Sequence, residues 1–151
     1  MLYEMIFPQY LKGRGISVLL LSLRIFFGVL FLMHGLDKMT NFPELSQTYP
    51  SVFGFGSYTT LMLAVFCEFC CSLFLIAGLL IRVITIPMMI SMAVAFFDIH
   101  DARMPEGELS LIYLVVFTFL FITGAGRYSV DNLIAVRFEK DKKTLEHKER
   151  E

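Results

Sequence analysis

Apolar residues fill four stretches of the chain, roughly Ile16 to Leu36, Tyr58 to Ile81, Val83 to Phe97 and Leu109 to Ala125, with polar residues collected between them. The runs are unbroken rather than alternating, which selects helices over the closed barrel, the other structure that satisfies its own backbone in lipid. A spanning helix needs about 20 apolar residues. Most of the windows meet this, and the third does so by taking in Arg82 and Asp98–Ile99 at its ends. The pattern predicts an all-α membrane protein, a four-transmembrane-helix bundle threaded up and down with neighbours antiparallel.

Composition agrees with that pattern. Of 151 residues, 56% are hydrophobic and 18% charged, enough chain for one domain and too apolar for a soluble one. The first window lies behind a leader containing Pro8, Lys12 and Arg14 and is followed by no small-residue cleavage pattern, so it is expected to be retained rather than removed as a signal peptide. Basic residues divide unevenly. Lys12, Arg14, Arg82, Arg127, Arg137, Lys140, Lys142, Lys143, Lys148 and Arg150 fall on one side of the predicted bundle, against Lys38 and Arg103 on the other. The positive-inside rule then puts both termini in the cytoplasm. Three segments result: an interfacial arm over residues 1–15, the membrane domain over 16–126, and a cytoplasmic tail over 127–151 that is either a mixed-charge helix or a solvated end.

Within the first helix, Arg24, Gly28, Phe31, Gly35 and Lys38 recur at helical spacing and share one face, where the two glycines permit close approach of a neighbour. The external segment Asp37 to Ser57 is rich in Pro, Gly and aromatics, which argues against helix throughout and predicts a lid folded back over the bundle. Helix three contains Pro87 followed by Met88, Met89 and Met92, read as adaptable packing. Helix four stops at Gly124-Ala125-Gly126.

Several pieces of this sequence resemble the DoxX-like membrane proteins. They are Leu23 to Phe31 with His34-Gly35 and Lys38; Glu68 followed by Leu75 to Leu79 and Arg82; Met92 to Ala95 with His100; and Gly124-Ala125-Gly126-Arg127-Tyr128-Ser129-Val130-Asp131. The order and spacing of these pieces, spanning Leu23 to Asp131, carry the resemblance. It implies a four-helix membrane bundle associated with redox complexes, such as the small membrane subunit of a thiosulfate:quinone oxidoreductase, and hence a quinone cofactor and a protein partner in the inner membrane. The chain departs from the family pattern at Ala125, where Pro is frequent, and in the run Cys67-Glu68-Phe69-Cys70-Cys71.

Three constellations could carry chemistry. Arg24 and Glu68, counted along their helices, both fall near mid-membrane, where an unpaired charge costs on the order of 2.5 to 3.5 kcal/mol, so they are expected to pair. Such a pair either fixes helix register or lines a site in which Arg24 orients a quinone carbonyl or sulfur anion and Glu68 handles protons. Antiparallel threading also brings His34 and Asp37 to the side of Asp98, His100, Asp101, Glu106 and Glu108, a crown suited to proton relay or contact with a quinone head; its spacing matches no closed metal motif, and no metal is assigned. The predicted catalytic residues are Glu68, Arg24, His34 and Asp98, and the predicted cofactor-binding set is Arg24, Phe31, His34, Glu68 and His100. Finally, Cys67 and Cys70 have the spacing of an exchanging thiol pair, with Cys71 expected to face away from Cys67. The leading function is therefore transfer of electrons from a small sulfur substrate or partner subunit to quinone. The alternatives are a non-catalytic anchor or assembly subunit, a thiol-disulfide oxidoreductase using Cys67 and Cys70, and a small-solute carrier. The glycine-bearing faces permit a homo-oligomer. No phosphate-cradling glycine loop or nucleic-acid signature is present.

Overall fold

An unbroken apolar run with small and polar residues recurring every three or four positions makes a single long helix with one inward face. The computed structural model, which describes residues 13–99 and 101–148 and side chains as far as Lys140, begins with that helix, α1, Arg14–Thr40. Its buried residues Ser17, Leu20, Arg24, Gly28, Phe31 and Gly35 recur every three or four positions, and around the rest of its circumference apolar side chains such as Phe26 and Met33 face outward. The predicted arm over residues 1–15 falls, apart from its last residues, outside the described residues, as does His100.

After α1 come the short α2, Phe42–Thr48, the long α3, Ser57–Ala77, and then α4, Ile81–Ile99, α5, Glu108–Thr123, and α6, Val130–Lys148. No strand occurs among the described residues. α1, α3 and α4 are long and apolar enough to cross a membrane. α5 is as apolar but has 16 residues, about 24 Å of helix. The architecture is a membrane helical bundle with outward faces suited to lipid. The segment Asp37 to Ser57 is not helical throughout, as its composition predicted: Pro43 sits in the first turn of α2, while the turn at Asn41 and residues 49–56 lack helix. The tail is helical to Lys148.

Helix register is read from the glycines of α1. A Cβ on Gly35 would lie 2.7 Å from the backbone nitrogen of Phe69, and one on Gly28 would lie 2.7 Å from Ile76. α1 and α3 therefore run antiparallel, with Gly35 level with Glu68–Phe69, Gly28 level with Leu75–Ile76, and Arg24 level with Gly78. α4 packs along α5 and also meets α3, while Phe31 of α1 closes the bundle against Tyr113 and Phe117 of α5, with ring centroids 5.1 Å apart in both cases. Leu20, Leu75, Ile81, Met88, Phe117 and Leu120 fill the core. Because the obstacle at Gly35 is backbone, Gly35→Ala should force α1 and α3 apart. The expected loss is about 1–3 kcal/mol, measurable as a lower melting temperature in detergent.

The end of the bundle away from α2 is tied by polar contacts. Gly78, at φ +72°, ends α3 several residues before its apolar window ends. The amides of Leu80 and Ile81 donate to the Asp131 carboxylate at 2.7 and 3.2 Å, so α6 caps the start of α4. The Asp131 amide donates in turn to the Gly78 carbonyl at 3.0 Å. α1 begins and α5 finishes at this same end, where Gly126 lies against Leu20.

Candidate functional site

Glu68 stands in a widened turn. From Phe66 to Cys70 the helix takes π geometry, with the Cys71 amide reaching back to the Phe66 carbonyl, and the Ser72 hydroxyl donates to the Glu68 carbonyl at 2.5 Å. Single π turns inside α-helices are frequent at functional sites. Gly35 lets α1 sit against this turn. One helical turn beyond it, Lys38 extends its stem inward so that Nζ reaches Glu68 Oε2 at 2.6 Å. The Glu68 side chain keeps 5% of its exposure and that of Lys38 keeps 21%.

This ion pair replaces the predicted Arg24–Glu68 pair. Arg24 and Gly35 are separated by eleven residues, about 16 Å of helix axis, and Gly35 is the residue level with Glu68. The Arg24 guanidinium instead donates to the carbonyls of Ala125 and Tyr128, the latter at 2.6 Å, at the far end of the bundle. A Cβ on Gly78 would collide with that guanidinium, so glycine there leaves the room in which Arg24 lies. Arg24 thus ties α1 to the segment joining α5 and α6, and does not line the site holding Glu68.

The Lys38–Glu68 pair borders a cavity of about 210 Å³. α1 contributes Phe31, His34 and Lys38, α3 contributes Glu68, and α4 contributes Met92, Ala95 and Ile99. The wall from α5 is Leu109, Ser110 and Tyr113, and Tyr49 and Pro50 roof it from the segment after α2, as the lid reading anticipated. His34, Tyr49 and Tyr113 all lie within electrostatic range of the Glu68 carboxylate. Burial, then the charge of Glu68, pushes the Tyr49 hydroxyl up to about 12, so it stays protonated at physiological pH. The His34 ring stands edge-on to Tyr113 at 6.1 Å. Tyr113 is 2% exposed, and its hydroxyl has no hydrogen-bond partner among the described residues.

Of the predicted site residues, Phe31, His34 and Glu68 come together here. Asp98 does not: it is exposed and stands outside the cavity wall. The end of α4, Ala95–Ile99, is a second π turn. With more than four residues per turn, Ala95 and Ile99 share the inward face and Asp98 is turned away from it. The rest of the crown is likewise dispersed, with Asp101 bonded to Arg103 at 2.6 Å on the surface and Glu106 and Glu108 exposed. Sequence reasoning left Lys38, Tyr49, Ser110 and Tyr113 out of the site, although Lys38 lay on the same predicted face as Phe31 and Gly35.

Cys67, Cys70 and Cys71 are free thiols. Cys71 does not face away from Cys67. Both are buried, and residues four apart are neighbours on one helix face. Cys67 also donates to the Pro87 carbonyl of α4 at 3.8 Å, a packing contact outside the cavity.

Residues 19–101 match the DoxX family. An uncharacterized protein of Haemophilus influenzae is 32% identical over 118 residues, covering 73% of this chain and 86% of the relative. A second uncharacterized protein of the same organism is 32% identical over 133 residues, covering 82% of this chain and 88% of the relative. No solved structure matches the chain.

Proposed function

Because the chain belongs to the DoxX family, we propose that it is an inner-membrane protein of a quinone-linked redox system, which takes electrons from a small sulfur substrate or partner subunit and delivers them to quinone in the cavity beside Glu68. In this reading α5 is the fourth span, both termini are cytoplasmic, and the cavity opens toward the outer face under the Tyr49–Pro50 lid. The carrying observation is the ion pair itself: a lysine reaches in from near the end of α1 to meet a buried glutamate bordering a roofed cavity. A pair serving helix register alone needs no space beside it.

The residues fit a quinone head. Phe31, Tyr113 and Met92 offer flat or adaptable apolar contact, and Lys38 supplies a cationic donor for a carbonyl oxygen. When bound, a quinone would supply an acceptor for two electrons from the sulfur substrate or partner subunit and two protons. Lys38 would orient a carbonyl and oppose negative charge on its oxygen. Glu68, held by Lys38 at 2.6 Å, would accept and pass on protons at the cavity wall. His34, at the rim, links Glu68 to the outside. The Tyr49–Pro50 roof covers the cavity from the segment after α2.

The test is binding and reduction of a short-chain quinone by the purified protein in lipid nanodiscs, with a thiol or thiosulfate as electron source. Wild type should bind the quinone, and Glu68→Gln should lose reduction by about a hundredfold or more, the lower end of what a positioned proton-transfer group contributes. A wild type that neither binds nor reduces the quinone, with Glu68→Gln indistinguishable from it, would leave the anchor reading in its place.

A further inference from the structure

Tyr113 is a buried donor with no acceptor among the described residues. It stands one turn inside α5, its ring fixed on three sides: tilted on Phe31 at 5.1 Å, tilted on Phe117 at 5.6 Å and edge-on to Phe27 at 5.7 Å. These contacts leave the ring little rotational freedom and so fix where the hydroxyl goes. It is 2% exposed, it lines the cavity, and its hydroxyl lacks any protein partner among the described residues. Buried hydroxyls are nearly always hydrogen-bonded, and an unmet one is costly enough to call for an explanation. The chain supplies phenylalanine freely, with 16 Phe against 6 Tyr. Packing alone would be served equally by phenylalanine.

We infer that the Tyr113 hydroxyl is a recognition donor for the molecule held in the cavity, making a hydrogen bond to a carbonyl oxygen of that ligand. This rests on the quinone reading above and deepens it by adding a positioning residue. Lys38 and Tyr113 approach from different helices, α1 and α5, and both lie within electrostatic range of Glu68. A ligand with carbonyl oxygens at two places on a flat ring meets both donors while its face lies against Phe31. A flat apolar ring of the same size without carbonyls leaves both donors unmet, so the site discriminates by hydrogen bonding rather than by shape.

The experiment compares wild type with Tyr113→Phe in nanodiscs, reading the dissociation constant of a short-chain quinone and the melting temperature without ligand. Tyr113→Phe keeps the ring contacts and removes only the hydroxyl. Expected are binding about tenfold weaker and a melting temperature equal to or above that of wild type, because a buried polar group without a protein partner has been removed. Equal quinone affinity in the two proteins overturns the inference while leaving the quinone reading intact. A lowered melting temperature also overturns it, since the hydroxyl would then be holding the fold. Absence of quinone binding by wild type is a different failure, that of the reading on which the inference rests.

Discussion

Arg24→Ala is expected to lower stability by on the order of 3 kcal/mol or more, since hydrogen bonds to a charged group are each worth about 1.5–3 kcal/mol. Arg24 is 1% exposed and gives two such bonds, to the carbonyls of Ala125 and Tyr128. Alanine leaves the buried Ala125 carbonyl and the half-buried Tyr128 carbonyl without their donor and opens a void beside Gly78. Arg24→Lys should recover only part of the loss, because an ammonium lacks the planar fork that reaches two acceptors at once. Thermal melting in detergent checks the stability of both variants. The surviving folded fraction should still bind quinone, because Arg24 sits at the opposite end of the bundle from Glu68. Unchanged melting combined with lost quinone binding would return Arg24 to the ligand site that the sequence assigned it.

The second large effect is an asymmetry within the ion pair. Removing one partner of a buried pair typically costs about 3–5 kcal/mol, because the other charge is left without compensation. Lys38→Ala leaves Glu68 in that position, with its side chain at 5% exposure. Its cost should approach the lower end of that range, since Lys38 at 21% exposure already shares its charge with solvent. Glu68→Gln should cost less. The remaining lysine lies near the end of α1 and can turn its ammonium toward water along its flexible stem. Melting temperatures should therefore fall in the order wild type, Glu68→Gln, Lys38→Ala. The opposite order would mean that Lys38 is the more confined partner and that the cavity is sealed more tightly than its roof suggests.

The buried stripe of α1 was legible from sequence because a helix writes its inward face every three or four residues, and Arg24, Gly28, Phe31 and Gly35 all proved to lie on it. Glu68 was legible for another reason: a carboxylate in an apolar run demands a partner. Which partner was not legible. That depends on how far α1 slides along α3, and the slide is set by Gly35 meeting the backbone at Glu68–Phe69. Counting depth from the ends of the apolar windows put Arg24 level with Glu68, when Lys38 was the cation one turn from the contact. Asp98 failed through a different cause, since a π turn rotates every side chain after it and leaves no periodic mark to read in advance. Tyr49 and Tyr113 were hidden among many aromatics, and only the cavity distinguishes them from packing residues.

In the function proposed above, the space beside the Lys38–Glu68 pair is the quinone site. Its most direct test is an experimental structure of the protein in lipid with a tightly binding quinone analogue. The expected result is density for the head group between α1, α3 and α5, under Tyr49 and Pro50, with a carbonyl oxygen within hydrogen-bond distance of Lys38 Nζ. Head-group density on the lipid-facing surface, with the cavity beside Glu68 holding only water, would contradict it.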